Sequence, residues 1–137
     1  MRILITDDEM TSRKILQKLL QPLGACQLAA DGTEALKLFI QAHTQGAAYD
    51  LITLDLHMED LGGMTTLNAI RRYEEQMGIR GEKSAKILVV TVSDVHSSIL
   101  GAFRAGCEGY IVKPVDPQNL RQALKIMDIN YPMLVGS

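Results

Sequence analysis

Residues 50–63 read Asp50-Leu51-Ile52-Thr53-Leu54-Asp55-Leu56-His57-Met58-Glu59-Asp60-Leu61-Gly62-Gly63. The run from Leu51 to Leu54 is apolar, partly β-branched and sharply bounded. Such a run predicts a strand buried on both faces, the kind found in parallel sheets covered by helices on each side. Beyond Asp55 the pattern breaks into His57, Glu59, Asp60 and two glycines, which reads as a loop. Asp55 therefore stands at the carboxyl end of a core strand, where open α/β sheets place their ligands.

The same grammar repeats outward from this stretch. Strands are expected at 2–6, 25–29, 49–54, 86–92 and 108–112, the first running into Asp7-Asp8 and the last into Lys113-Pro114. Between and after them lie helical periodicities. The first, 9–23, turns Ile15, Leu16, Leu19, Leu20 and Leu23 inward and stops at Gly24. The second follows the turn Asp31-Gly32, is capped by Thr33, and buries Ala35, Leu36, Phe39 and Ile40. The third starts near Gly63 with Leu67, Ile70 and Met77 inward. The fourth, 95–105, is expected to bury Ile99, Leu100 and Phe103 and to end at Gly106. The fifth, 117–128, opens on Pro117 and buries Leu120, Ala123, Leu124 and Met127.

Five strands alternating with five helices predict an α/β fold. Because such crossovers are right-handed, the sheet is parallel and doubly wound, with helices on both faces. The order expected is the flavodoxin-like 2-1-3-4-5. One domain is expected over 1–128, with 129–137 as a C-terminal tail.

At 137 residues and 47% hydrophobic the chain suits one domain with one core. A net charge of −2 with scattered Lys and Arg argues against nucleic-acid binding. The opening Met-Arg-Ile-Leu-Ile-Thr-Asp-Asp becomes charged too early for a signal peptide, and no apolar run reaches the ~20 residues of a membrane span. Cys26 and Cys107 are isolated and read as buried free thiols, which points to the cytoplasm. His43 and His96 are expected at the surface, and Arg71-Arg72 on a solvated helix face.

In a 2-1-3-4-5 order the ends of strands one, three, four and five are contiguous, so Asp7, Asp8, Asp55, Thr91 and Lys113 converge on one crevice. A lone aspartate at a strand end is most often a turn former or a helix cap. Capping does not explain why Thr91 and Lys113 complete the same crevice. Clustered carboxylates repel, by about 4 kcal/mol per pair at ~4 Å and an effective dielectric near 20, so the site needs a cation. Oxygen ligands that leave room for waters and a phosphate suit Mg²⁺. Lys113 and the Thr91 hydroxyl can bind phosphoryl oxygens, leaving Asp55 as a carboxylate nucleophile able to form an acyl phosphate.

With an acidic pair after strand one, Asp after strand three, Thr after strand four and Lys-Pro after strand five, residues 2 to about 128 resemble the receiver domains of two-component response regulators. The resemblance implies Asp55 as phosphoacceptor, charged by a sensor histidine kinase or a histidine phosphotransfer protein. It implies Mg²⁺ held by Asp8, Asp55 and the backbone carbonyl of His57, with Asp7 reaching it through water. Thr91 and Tyr110 become the switch pair, and Lys113–Pro114 a cis peptide. The protein is then no enzyme beyond its own phosphorylation and dephosphorylation. Its readout surface would be the fourth helix, fifth strand and fifth helix, with His96, Arg104, Gln118, Arg121 and Gln122 as candidate contacts for a downstream protein target or a homodimer partner. The segment Tyr131-Pro132-Met133-Leu134-Val135 is apolar enough to dock on a neighbour or to be a loose end.

Two positions depart from the family pattern. Glu59 stands where proline is usual, which suggests a more mobile loop. Val92 replaces a small residue after the switch threonine and could narrow the approach to the phosphoryl site. His57 and Ser93 hold positions that tune how water reaches the acyl phosphate. A phosphatase of the haloacid dehalogenase type needs a second aspartate two residues past the nucleophile, where this chain has His57. A receiver-like domain that never takes phosphate would be expected to lose an acidic residue or Lys113, and all are kept.

Overall fold

The computed structural model describes residues 1–58 and 60–132. Five parallel strands form one sheet in the order β2-β1-β3-β4-β5. They are β1 (Arg2–Thr6), β2 (Ala25–Ala29), β3 (Leu51–Leu54), β4 (Lys86–Thr91) and β5 (Gly109–Val112). The helices are α1 (Met10–Leu20), α2 (Gly32–Thr44), α3 (Gly63–Gln76), α4 (His96–Arg104) and α5 (Pro117–Ile126). This is the doubly wound architecture the sequence predicts.

The three central strands are covered on both faces. Ile3, Leu4, Ile5, Leu51, Ile52, Leu54, Ile87, Leu88 and Val89 have no solvent exposure at all. Alternation along each strand divides them into two clusters. Leu4, Ile52, Leu54, Ile87 and Val89 pack with Phe39, Leu67 and Ile70 on one face. Ile3, Ile5, Leu51 and Leu88 pack with Leu16, Leu20, Leu120 and Leu124 on the other. Burying one such side chain is worth about 1.5–3 kcal/mol, so β1, β3 and β4 form a rigid platform. Cys107 is buried and Cys26 half-buried, and both are free thiols. Burial pushes the Cys107 thiol up to about 11.

Several local expectations are corrected. The first helix ends at Leu20, and residues 21–23 continue as a 3₁₀ turn around Pro22 before Gly24. Asp31, not Thr33, caps α2, its carboxylate accepting the Glu34 amide at 2.8 Å. Met77 lies at the end of α3 and is 53% exposed. Ile15 is 47% exposed, because the buried stripe of α1 runs through Leu16 and Leu20 and Ile15 sits about 100° around the helix from Leu16.

The largest departure is α4. Only Ala102 is buried there, Ile99 is half-buried, and Leu100 and Phe103 are 41% and 45% exposed. Phe103 lies about 100° and Leu100 about 160° around the helix from Ala102, so the small face meets the sheet and the large apolar face does not. Periodicity marks an apolar stripe and leaves open what covers it. At the other end of the chain, Ile129 and Tyr131 join the second cluster, and the Tyr131 hydroxyl donates to the Leu19 carbonyl. Met133, Leu134 and Val135, expected to dock or hang loose, lie outside the described residues, as does Glu59.

Candidate functional site

Register sets the site. Thr6 pairs with Leu54, and Leu54 with Val89, so the next residues of β1 and β3, Asp7 and Asp55, emerge side by side. Thr91 pairs with Val112, which puts Lys113 one step beyond the sheet edge. The ladder continues into the functional residues themselves. The amide of Asp7 donates to the Ala29 carbonyl, that of Asp55 to the Thr6 carbonyl, and that of Lys113 to the Thr91 carbonyl. Backbone positions at this crevice are therefore as fixed as those in the sheet.

The expected side chains do converge. Carboxylate oxygens of Asp7, Asp8 and Asp55 all lie within 4.8 Å of one another. Lys113 Nζ donates to Asp7 Oδ2 at 2.8 Å, to Asp55 Oδ2 at 2.9 Å and to Ser12 Oγ at 3.3 Å. Asp7 and Asp55 are buried, whereas Asp8 is open to solvent. The second oxygen of Asp55 accepts the His57 amide at 3.0 Å, and that of Asp7 the Glu9 amide at 2.9 Å. Burial pulls the Lys113 ammonium toward neutrality, but the hydrogen bonds and charges of Asp7 and Asp55 outweigh it and raise its pKa, so Lys113 stays cationic at neutral pH.

One ammonium does not balance three carboxylates, and Glu9 stands a further 3.9 Å from Lys113. The Thr91 hydroxyl is fully buried and has no hydrogen-bond partner among the described residues. A buried donor without a partner costs about 1–3 kcal/mol, a cost Thr91 shares with Thr6 and Thr53; what sets Thr91 apart is its place at the end of β4, where its carbonyl accepts the Lys113 amide at 2.8 Å. An all-oxygen donor set with excess negative charge fits a hard divalent cation such as Mg²⁺.

Asp60 and Gly63, in the segment that follows Asp55, are closely held. A side chain at Gly63 would put its Cβ 2.2 Å from the Asp55 carbonyl oxygen, so the start of α3 can pack there only as glycine. The Asp60 carboxylate accepts the amides of Gly32 and Thr33 at 3.2 and 3.3 Å, tying the loop to the start of α2. His57 itself is exposed. Val92 is 62% exposed and, with Ser12, Ile15, Pro114 and Val115, walls an apolar groove of about 340 Å³ that ends at Lys113. Tyr110 is half-buried and its hydroxyl donates to the Ser93 carbonyl at 2.8 Å; burial raises its pKa. The Lys113–Pro114 bond is cis.

Sequence reasoning missed Ser12 and Asp60. Ser12 lies in the first turn of α1, four residues after Asp8, and that spacing was its only signal. It also misplaced Arg71, which is no solvated residue, and His43, which is half-buried with Nδ1 3.0 Å from the Tyr73 hydroxyl.

A doubly wound sheet with this acidic crevice and its lysine defines a receiver domain. The response regulator receiver domain family matches residues 3–125, and the chain belongs to it. The nitrate/nitrite response regulator NarP of Escherichia coli is 32% identical over 127 residues; the alignment covers 90% of this chain and 53% of NarP, so this chain spans about half of that relative. The chemotaxis protein CheY of Pseudomonas aeruginosa is 33% identical, with 91% of this chain and 94% of CheY covered. The receiver domain of the histidine kinase CKI1 from Arabidopsis thaliana, complexed with Mg²⁺ and BeF₃⁻, superposes with a TM-score of 0.77 at 25% identity, covering 93% of this chain and 89% of that one. Among the described residues no helix is long and apolar enough to cross a membrane.

Proposed function

We propose that Asp55 accepts a phosphoryl group from a phosphohistidine of a sensor histidine kinase or histidine phosphotransfer protein. The carrying observation is the Lys113 ammonium, 2.9 Å from Asp55 and 2.8 Å from Asp7, with the Asp8 carboxylate in the same cluster. An ionised Asp55 oxygen attacks phosphorus, the N–P bond breaks, and the imidazole leaves with the bond's electron pair. No general base is needed, because the nucleophile is already a carboxylate. Lys113 follows the charge from the Asp55 oxygen to the phosphoryl oxygens, and the unpartnered Thr91 hydroxyl donates to another of them. Asp8, Asp55 and the His57 carbonyl would hold Mg²⁺, with Asp7 behind them. That ion would neutralise the charge gathered at the crevice.

Withdrawal of Thr91 toward the phosphoryl group frees space for Tyr110, and α4, β5 and α5 carry the change to a downstream protein, with a homodimer through the same face as the second form of output. Val92 and Ile15, exposed beside Lys113, suit a docked donor helix. Residues 1–128 make up this unit, and of its tail, 129–137, Ile129 and Tyr131 pack back onto the core. Catalysis extends only to its own phosphorylation and dephosphorylation, and its free thiols suit the cytoplasm.

Incubation with Mg²⁺ and acetyl phosphate, read by intact mass, should add one phosphoryl group. Asp55→Asn or removal of Mg²⁺ by a chelator should abolish the gain. A protein that stays unmodified, or an Asp55→Asn variant that still gains the group, overturns the reading.

A further inference from the structure

Far from the crevice, at the amino ends of β4 and β5, Arg71 of α3 engages all its N–H groups. Nε and Nη2 donate to the Gly106 carbonyl at 3.0 and 2.8 Å. Nη1 donates to Glu74 and to the Ala85 carbonyl, both at 2.7 Å, and Nη2 to Glu108 at 2.6 Å. A guanidinium has five N–H donors, and these contacts occupy every one, with the Gly106 carbonyl accepting twice. Gly106 follows α4 closely. Its φ is +109°, a conformation that favours glycine, and a Cβ there would press on Arg71 Nε at 3.2 Å.

The carboxyl end of α4 is thus locked to α3 and to the start of β5. Its other end is held less, by the Tyr110 hydroxyl donating to the Ser93 carbonyl of the preceding loop at 2.8 Å. Val95 caps the helix without a side-chain hydrogen bond, and the preceding loop leads straight from Thr91. Between the two ends only Ala102 is buried. A helix clamped at one end, lightly packed along its length and attached at the other end to the responding loop can tilt but cannot slide.

We propose that Arg71 is a positioning residue, the fixed pivot about which the amino end of α4 swings when the site is charged. The inference rests on the phosphoacceptor reading and adds to it where the motion stops. Phosphorylation is local to Asp55 and does not pass through Arg71, so the two can be tested apart.

The measurement is amide hydrogen exchange across 94–108 with and without beryllofluoride and Mg²⁺, beside acetyl phosphate labelling of Asp55. In the unaltered protein beryllofluoride should change exchange by about fivefold or more over 94–100 and by less than about twofold over 102–108. In Arg71→Lys, which keeps the charge and loses the fork, the change should spread into 102–108 while labelling of Asp55 persists. Ile70→Val, a core change that weakens the same helix, should leave the boundary in place. Equal responses in both halves of the unaltered protein, an unmoved boundary in Arg71→Lys, or a boundary that moves equally in Ile70→Val overturns the pivot. Labelling of Asp55 without any exchange response overturns the pivot alone, whereas absence of labelling overturns the phosphoacceptor reading as well.

Discussion

The two ends of the sheet bury charge in opposite ways. At the amino ends, Arg71 meets Glu74 and Glu108, and the carboxylates find further donors: Glu74 accepts the Ala85 amide at 2.8 Å and Glu108 the Ile87 amide at 2.9 Å. At the carboxyl ends, Lys113 faces three carboxylates, and a buried threonine hydroxyl stands unpartnered. The first cluster is complete within the chain. The second is complete only with something added. A satisfied network specifies structure, and an unsatisfied one stores the means to bind.

If that contrast is right, removing a charge should have opposite signs at the two ends. The largest effect is expected for Arg71→Ala, which strands Glu74 in a site where its side chain is 5% exposed. Breaking a buried pair in this way costs about 3–5 kcal/mol, read as a fall in the urea midpoint at constant slope. A loss below about 1 kcal/mol would mean that the amino-end cluster is ornamental.

Next comes Lys113→Gln. Removing one preorganised charge from a phosphoryl site should slow acetyl phosphate labelling of Asp55 by roughly 10²-fold. An unchanged rate would mean that Lys113 only balances carboxylates.

The smallest effect carries the sign that separates the clusters. Asp8→Asn should stabilise the metal-free protein by about 1 kcal/mol, because it relieves repulsion between carboxylates held within 4.8 Å. The gain should vanish on adding Mg²⁺, since the variant also loses a ligand. Thermal melts with and without Mg²⁺ decide it, and destabilisation of the metal-free form would place Asp8 among ordinary structural residues.

Sequence and structure agree most closely where one short pattern settled the matter. A short, bounded, partly β-branched run such as Leu51–Leu54 reads as a covered strand, and order 2-1-3-4-5 then brings Asp7, Asp55, Thr91 and Lys113 to neighbouring strand ends. Agreement fails where a residue's role depends on a partner far along the chain. Arg71 resembles any helix-surface arginine until Gly106 and Glu108, 35 and 37 residues away, fold against it. Leu100 and Phe103 carry a core-like stripe, yet the sheet accepts Ala102 instead. Asp60 looked like loop filler and proves to be a tether on α2.

The sequence by itself determined the strands, their order and which side chains stand at their carboxyl ends, because period, short apolar runs and chirality are local properties that leave few topologies. Only the tertiary structure decided which apolar faces stay in water and which charges pair. Those outcomes depend on distances between segments remote in the chain, and no local pattern encodes such distances.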